Sequence, residues 1–198
     1  MSKTRSLLTA LTASGFLVAC AGAPEPAAAP EPPCTFQDGS GPYTAKAPDW
    51  VCNEGSNVPG LTAVASYRQS SSGYDFMVEM ATARARQRLA AIISSEAVGS
   101  VKDYRANSGN TLANETNMAT SEITQKTIYS AVLTGSRVVT KTRNPDTGQV
   151  YVLVGISDQD LPKLAEKAVE TAFKNDDVGF QLYKASKSFK ELISDLGN

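Results

Sequence analysis

The residues of this chain with the most chemical potential are three cysteines, Cys20, Cys34 and Cys52, and at most two of them can pair with each other. The sequence contains no histidine, so general-base, nucleophile-activating and imidazole-metal arrangements that depend on one are excluded together. Carboxylates, lysines and hydroxyls remain. Asp158 and Asp160 form a DxD that could hold a divalent cation, but they stand where a helix begins, and acidic residues are expected there from the helix dipole alone. Trp50, the single tryptophan, sits in the stretch APDWVC. It could stack on a sugar or a flavin, or close the edge of a small core. No glycine-rich phosphate loop, GxSxG or SxxK occurs. The expectation is a protein without catalytic residues, cofactor or metal.

The cysteines differ in their surroundings. Lys3 and Arg5 precede an uncharged run from Leu7 to Ala19 that ends in small residues, the pattern of a secretory signal. At about 1.5 Å per residue that run reaches roughly 20 Å, short of the roughly 30 Å hydrocarbon core, so a permanent membrane helix is not expected. Leu17-Val18-Ala19-Cys20 resembles the lipobox of bacterial lipoproteins. That resemblance implies diacylglyceryl attachment to the Cys20 thiol, cleavage before Cys20 and acylation of the new amine. Several acyl chains, each buried CH₂ contributing about 0.8 kcal/mol, anchor a protein almost permanently. Ala21 follows the cysteine in place of the aspartate associated with inner-membrane retention, which points to the inner leaflet of the outer membrane.

With Cys20 committed to lipid, Cys34 and Cys52 are an even pair in an oxidising compartment. The segment between them is rich in Gly, Pro, Ser and Asp. Closing such a loop is expected to stabilise by about 3 kcal/mol through the unfolded state. Residues 21–33, AGAPEPAAAPEPP, are too poor in large apolar side chains to pack. They read as a polyproline-like spacer of roughly 40 Å at about 3.1 Å per residue.

These features need a folded domain to carry them. Leu61–Gln69 alternates as a strand, and Asp75 is placed to cap a helix over Phe76–Glu96, with Val78, Ala81, Ala85, Leu89, Ile92 and Ile93 on one side. Arg84 and Arg88 flank that stripe while Glu79 and Arg86 sit on the other edge, so the arginines are expected not to converge but to form a solvated face. Between Gly99 and Ile128 the pattern is weak. Val101 and Tyr104 suggest a strand, Asn107–Asn110 a turn, and the threonine-rich remainder either a strand or a helical excursion. Asn114-Glu115-Thr116 matches a glycosylation sequon, a chance occurrence in a bacterial lipoprotein.

Across Ala131–Ser157, Asn144-Pro145-Asp146-Thr147-Gly148 supplies turn chemistry between two strand-like runs, predicting a hairpin. Val150–Ile156 is apolar on both faces, so this strand is expected at the centre, while Arg137, Lys141 and Arg143 put one face of its neighbour in water. Ser157 and Asp158 then cap a helix over Gln159–Phe173 with Pro162 in its first turn. A last amphipathic helix is expected over Phe180–Leu196, its stripe formed by Leu182, Ala185, Phe189, Leu192, Ile193 and Leu196.

The order of elements predicts an α+β, two-layer domain with a mainly antiparallel sheet packed by helices, plus a C-terminal amphipathic helix. The expected organisation is a signal at 1–19, a lipidated Cys20 and tether at 20–33, and a disulfide-closed loop at 34–58. The domain proper follows at 59–177 and the terminal helix at 178–198. The net charge of −1 carries no basic stripe, which speaks against nucleic-acid binding.

Pro48-Asp49-Trp50-Val51, the helix with Ala81, Ala85 and Leu89, and the strand Tyr151-Val152-Leu153-Val154 together resemble the LPP-twenty lipoprotein family. The resemblance covers roughly residues 48–160. The family includes surface antigens and the FlgP proteins that form rings around flagellar motors. It implies an outer-membrane-tethered module that assembles with itself or with other envelope proteins, and it carries no catalytic residue over to this chain. A binding module for a small ligand or peptidoglycan fragment, using Trp50, is the other reading.

Overall fold

The computed structural model describes residues 33–36, 45–55, 57–108, 117–174 and 176–197. The signal, Cys20, the tether up to Pro32 and the 114–116 sequon lie outside the described residues.

Three antiparallel strands form the sheet: β1 (Leu61–Tyr67), β2 (Arg137–Arg143) and β3 (Val150–Ile156), in the order β1-β3-β2. The fold is α+β, with helices packed on an antiparallel sheet. β3 is buried at all of its positions, as an all-apolar central strand must be. The β2–β3 hairpin closes through Asn144 N–H to Gln149 O (2.8 Å) and Gly148 N–H to Asn144 O (2.9 Å). Gly148 takes φ +71, a backbone conformation open to glycine at no steric cost. β2 begins only at Arg137, because Ala131–Gly135 completes a helix instead of opening the strand. The ladder is offset between Val138 and Thr140.

One face of the sheet, with Ala63, Ala65, Val150, Val152, Val154 and Ile156, meets the helices. α2 (Tyr74–Asn107) is the central one, touching β1, β3, α3 (Asn117–Gly135), α4 (Leu161–Phe173) and α6 (Lys187–Leu196). Ala81, Ala85 and Ala90 on α2, with Ala165 and Ala168 on α4, are fully buried; their small side chains let the backbones approach closely.

Three local expectations are corrected and one open alternative is resolved. α2 starts after Gly73, with Asp75 inside its first turn and making no capping bond. It runs well past Glu96, so the strand expected at Val101 and Tyr104 is absent. Ile93, Ala97, Val101 and Tyr104 follow one another at spacings of three and four, a helical seam that continues through Gly99. The threonine-rich stretch beyond is the helix α3. The N-cap of α4 is Asp160, not Ser157 or Asp158, with Pro162 in its first turn as expected.

The C-terminal helix is two helices, α5 (Asp177–Lys184) and α6, broken at Ser186, whose backbone is extended (φ −79, ψ 168). Tyr183 O accepts both the Ser186 N–H at 2.9 Å and the Ser186 hydroxyl at 2.6 Å, which ties the break to the last turn of α5. The break resets the helical phase. Leu182 is therefore 60 % exposed, whereas Tyr183 is fully buried beside Leu192 and Leu196.

Candidate functional site

The second face of the sheet is built from Val64, Tyr151 and Leu153, and it is covered by the cysteine-bounded segment. Cys34 Sγ and Cys52 Sγ are joined at 2.05 Å. Thr35 and Lys46 form an antiparallel bridge, with Ala47 N–H donating to Cys34 O at 3.0 Å. This ribbon presses Phe36 onto Tyr151 (ring centroids 5.2 Å apart) and leads into α1 (Asp49–Cys52). The covalent closure and the buried Phe36 hold the described ends of this segment on the sheet.

Trp50 is half-buried and packs against this cluster with Val51 and Val58. Its ring thus contributes to the edge of the cover. It is also a local reporter. Replacing both Cys34 and Cys52 with serine is expected to cost about 3 kcal/mol, with Trp50 emission shifting to the red at lower urea than the far-ultraviolet circular dichroism changes. Coincident transitions at the wild-type midpoint would contradict this.

The DxD does not form a cation site with other residues. Asp160 Oδ2 accepts the Ser157 hydroxyl at 2.7 Å, and its other oxygen lies 3.8 Å from Lys163 Nζ. Asp158 is exposed and faces an open cavity shared with Asn53, Glu54 and the start of β1. Among the described residues no group of three or more acidic, cysteine or histidine side chains is placed to hold a metal.

The arginines of α2 do more than face solvent. Arg88 Nη1 donates to Val64 O at 2.6 Å, and Arg84 Nη1 to Ser66 O at 3.0 Å. β1 lies at the end of the sheet order, so these carbonyls belong to its open edge, and the two guanidinium groups block it against pairing with another strand. Arg84 also lies 4.7 Å above the Tyr67 ring. Arg86, by contrast, turns toward Ser136 Oγ at 3.1 Å. Arg84 and Arg88 do converge on one groove, contrary to the reading of a dispersed solvated face. A pair of arginines one helical turn apart, facing a strand whose register is unknown from sequence, gives no signal of this contact.

Tyr183 is the other residue that sequence reasoning passed over. Its ring packs on Tyr104, Phe173 and Phe189 at centroid distances of 5.1, 5.6 and 6.0 Å. Its hydroxyl bonds Ser100 Oγ. Arg105 caps the same cluster 4.6 Å above Phe173 while pairing with Asp176 at 3.6 Å.

No protein-family model and no curated protein matches this chain.

Proposed function

We propose that the protein is a lipid-anchored outer-membrane lipoprotein facing the periplasm, with a non-enzymatic structural role in envelope assembly. The observation that carries this reading is Leu17-Val18-Ala19-Cys20 at the end of a basic-then-apolar leader, followed by a proline- and alanine-rich stretch before the fold begins. Supporting it, the domain presents apolar side chains to solvent at Val138 and Val139 on β2 and at Val178 and Leu182 on α5. Scattered surface apolar residues are ordinary, but an exposed pair on an edge strand suits an assembling protein. Service in a flagellar or other ring follows from the family resemblance alone. The binding of peptidoglycan fragments at Trp50 is the less favoured reading, because that ring is engaged in the cover of the sheet.

The test is crosslinking in intact cells, with the captured proteins identified by mass spectrometry. Copies of the chain or other envelope proteins are expected in membrane fractions. A chain recovered only from the soluble periplasm, uncrosslinked, would reject the proposal.

A further inference from the structure

Two grooves of opposite charge lie at different ends of α2. The first runs from the edge of β1 to the α2–α3 seam: a cavity bordered by Arg84 and Arg88 adjoins one bordered by Lys126 and Tyr129, and both share Gln87 and Gln125. Among the described residues no carboxylate lines either part. The second lies between α2 and α6 and is bordered by Glu96, Asp103, Glu191 and Asp195, with no cation in its lining.

Among the described residues most of these charges have no ion-pair partner within one copy. Glu191 is held by Lys187 at 2.6 Å, but Glu96, Asp103 and Asp195 have no ion pair with any described residue. Arg84, Arg88 and Lys126 likewise have none. At 1.5 Å per residue, the offsets from Arg84 to Glu96 and from Arg88 to Asp103 separate the grooves by about 20 Å along α2, so neither can reach the other within the chain. Three cations without an ion pair among the described residues thus match three such carboxylates in the other groove.

We propose that the cationic groove receives the acidic groove of a second copy of this chain. The arginines are held ready for this: each spends one N–H on a β1 carbonyl, which fixes its direction, and keeps others for a carboxylate. Because each groove meets its opposite and not itself, the contact uses two distinct surfaces per copy, the arrangement from which rings and filaments are built. Exposed ion pairs are individually weak and screened by salt. Docking is therefore modest in solution and gains from confinement of copies on a membrane, a gain that rests on the lipid anchor proposed above.

The experiment uses the full chain in sedimentation velocity over a concentration series at low and at molar salt, with zero-length carbodiimide crosslinking read by mass spectrometry. Expected are concentration-dependent association at low salt, its loss where the Debye length falls to about 3 Å, and intermolecular crosslinks from Lys126 to Glu96, Asp103 or Asp195. The double variant Arg84→Glu/Arg88→Glu is expected to weaken association by more than about a hundredfold, and Glu96→Lys/Asp103→Lys to do the same. An equimolar mixture of the two variants is expected to associate again, which also shows that each is folded. A wild-type chain that stays monomeric at low salt, association indifferent to salt or to either reversal, or a mixture that stays dissociated would each overturn the proposal. Capture of other envelope proteins in cells would survive those outcomes, so docking between copies can fail while the envelope reading stands.

Discussion

Tyr183→Ala is expected to destabilise the protein by about 3–5 kcal/mol, the usual range for deleting a large buried aromatic side chain. Tyr183 is fully buried, although it lies on a helix of only eight residues that cannot persist alone. α5 and α6 are held by this side chain and its neighbours: it touches Tyr104 of α2, Phe173 of α4 and Phe189 of α6 at once. Alanine would leave a cavity between three helices and deprive Ser100 Oγ of its partner. Amide exchange is expected to show residues 177–196 losing protection before the sheet does, and a urea midpoint equal to wild type would sink this account. Tyr183→Phe keeps the packing and is expected to cost only about 1 kcal/mol.

The pair also separates packing from ionisation. Burial raises the Tyr183 pKa above its ordinary 10.0, with the Ser100 hydrogen bond opposing to a lesser degree. The folded state thus favours the neutral phenol. That contribution is present below the unfolded pKa and is lost as pH rises through the raised folded value. Stability above pH 10 is expected to fall more steeply for wild type than for Tyr183→Phe, as measured by urea unfolding across that range.

What the sequence made legible follows a physical division. The central strand and its hairpin were readable because β3 is apolar on both faces and Asn144–Gly148 carries its own turn chemistry. The pairing of Cys34 with Cys52 followed from counting once Cys20 was set aside, and the structure joins those two sulfurs. The far half of α2 was obscured because Gly99, Ser100 and Lys102 dilute the apolar seam, although Ala97, Val101 and Tyr104 keep its period. A continuous helix over Phe180–Leu196 was a fair reading of periodicity, but one extended residue at Ser186 exchanges the places of Leu182 and Tyr183. The groove at Arg84 and Arg88 is tertiary: it exists only because the edge of β1 is brought beside α2. Composition and spacing do not encode such a meeting, so the site that the structure makes most specific was the least readable.

Cys20→Ser is expected to abolish labelling by radioactive palmitate and to move the chain from membrane to soluble fractions. The size of that effect follows from chain arithmetic. One acyl chain gives only marginal, reversible binding, whereas each further chain multiplies affinity because every buried CH₂ adds about 0.8 kcal/mol. Apolar side chains on the surface cannot substitute for this. Among the described residues no helix is long and apolar enough to cross a membrane. The fold is expected to survive the change, because the disulfide that closes the cover joins Cys34 to Cys52. Cys20→Ser therefore separates address from assembly: the proposed docking between copies is expected to persist in solution, while the proposed gain from confinement on a bilayer is expected to disappear and in-cell crosslinks between copies to decline. Label retained by the serine variant, or membrane retention without label, would show that something other than the Cys20 thiol holds this protein to the envelope.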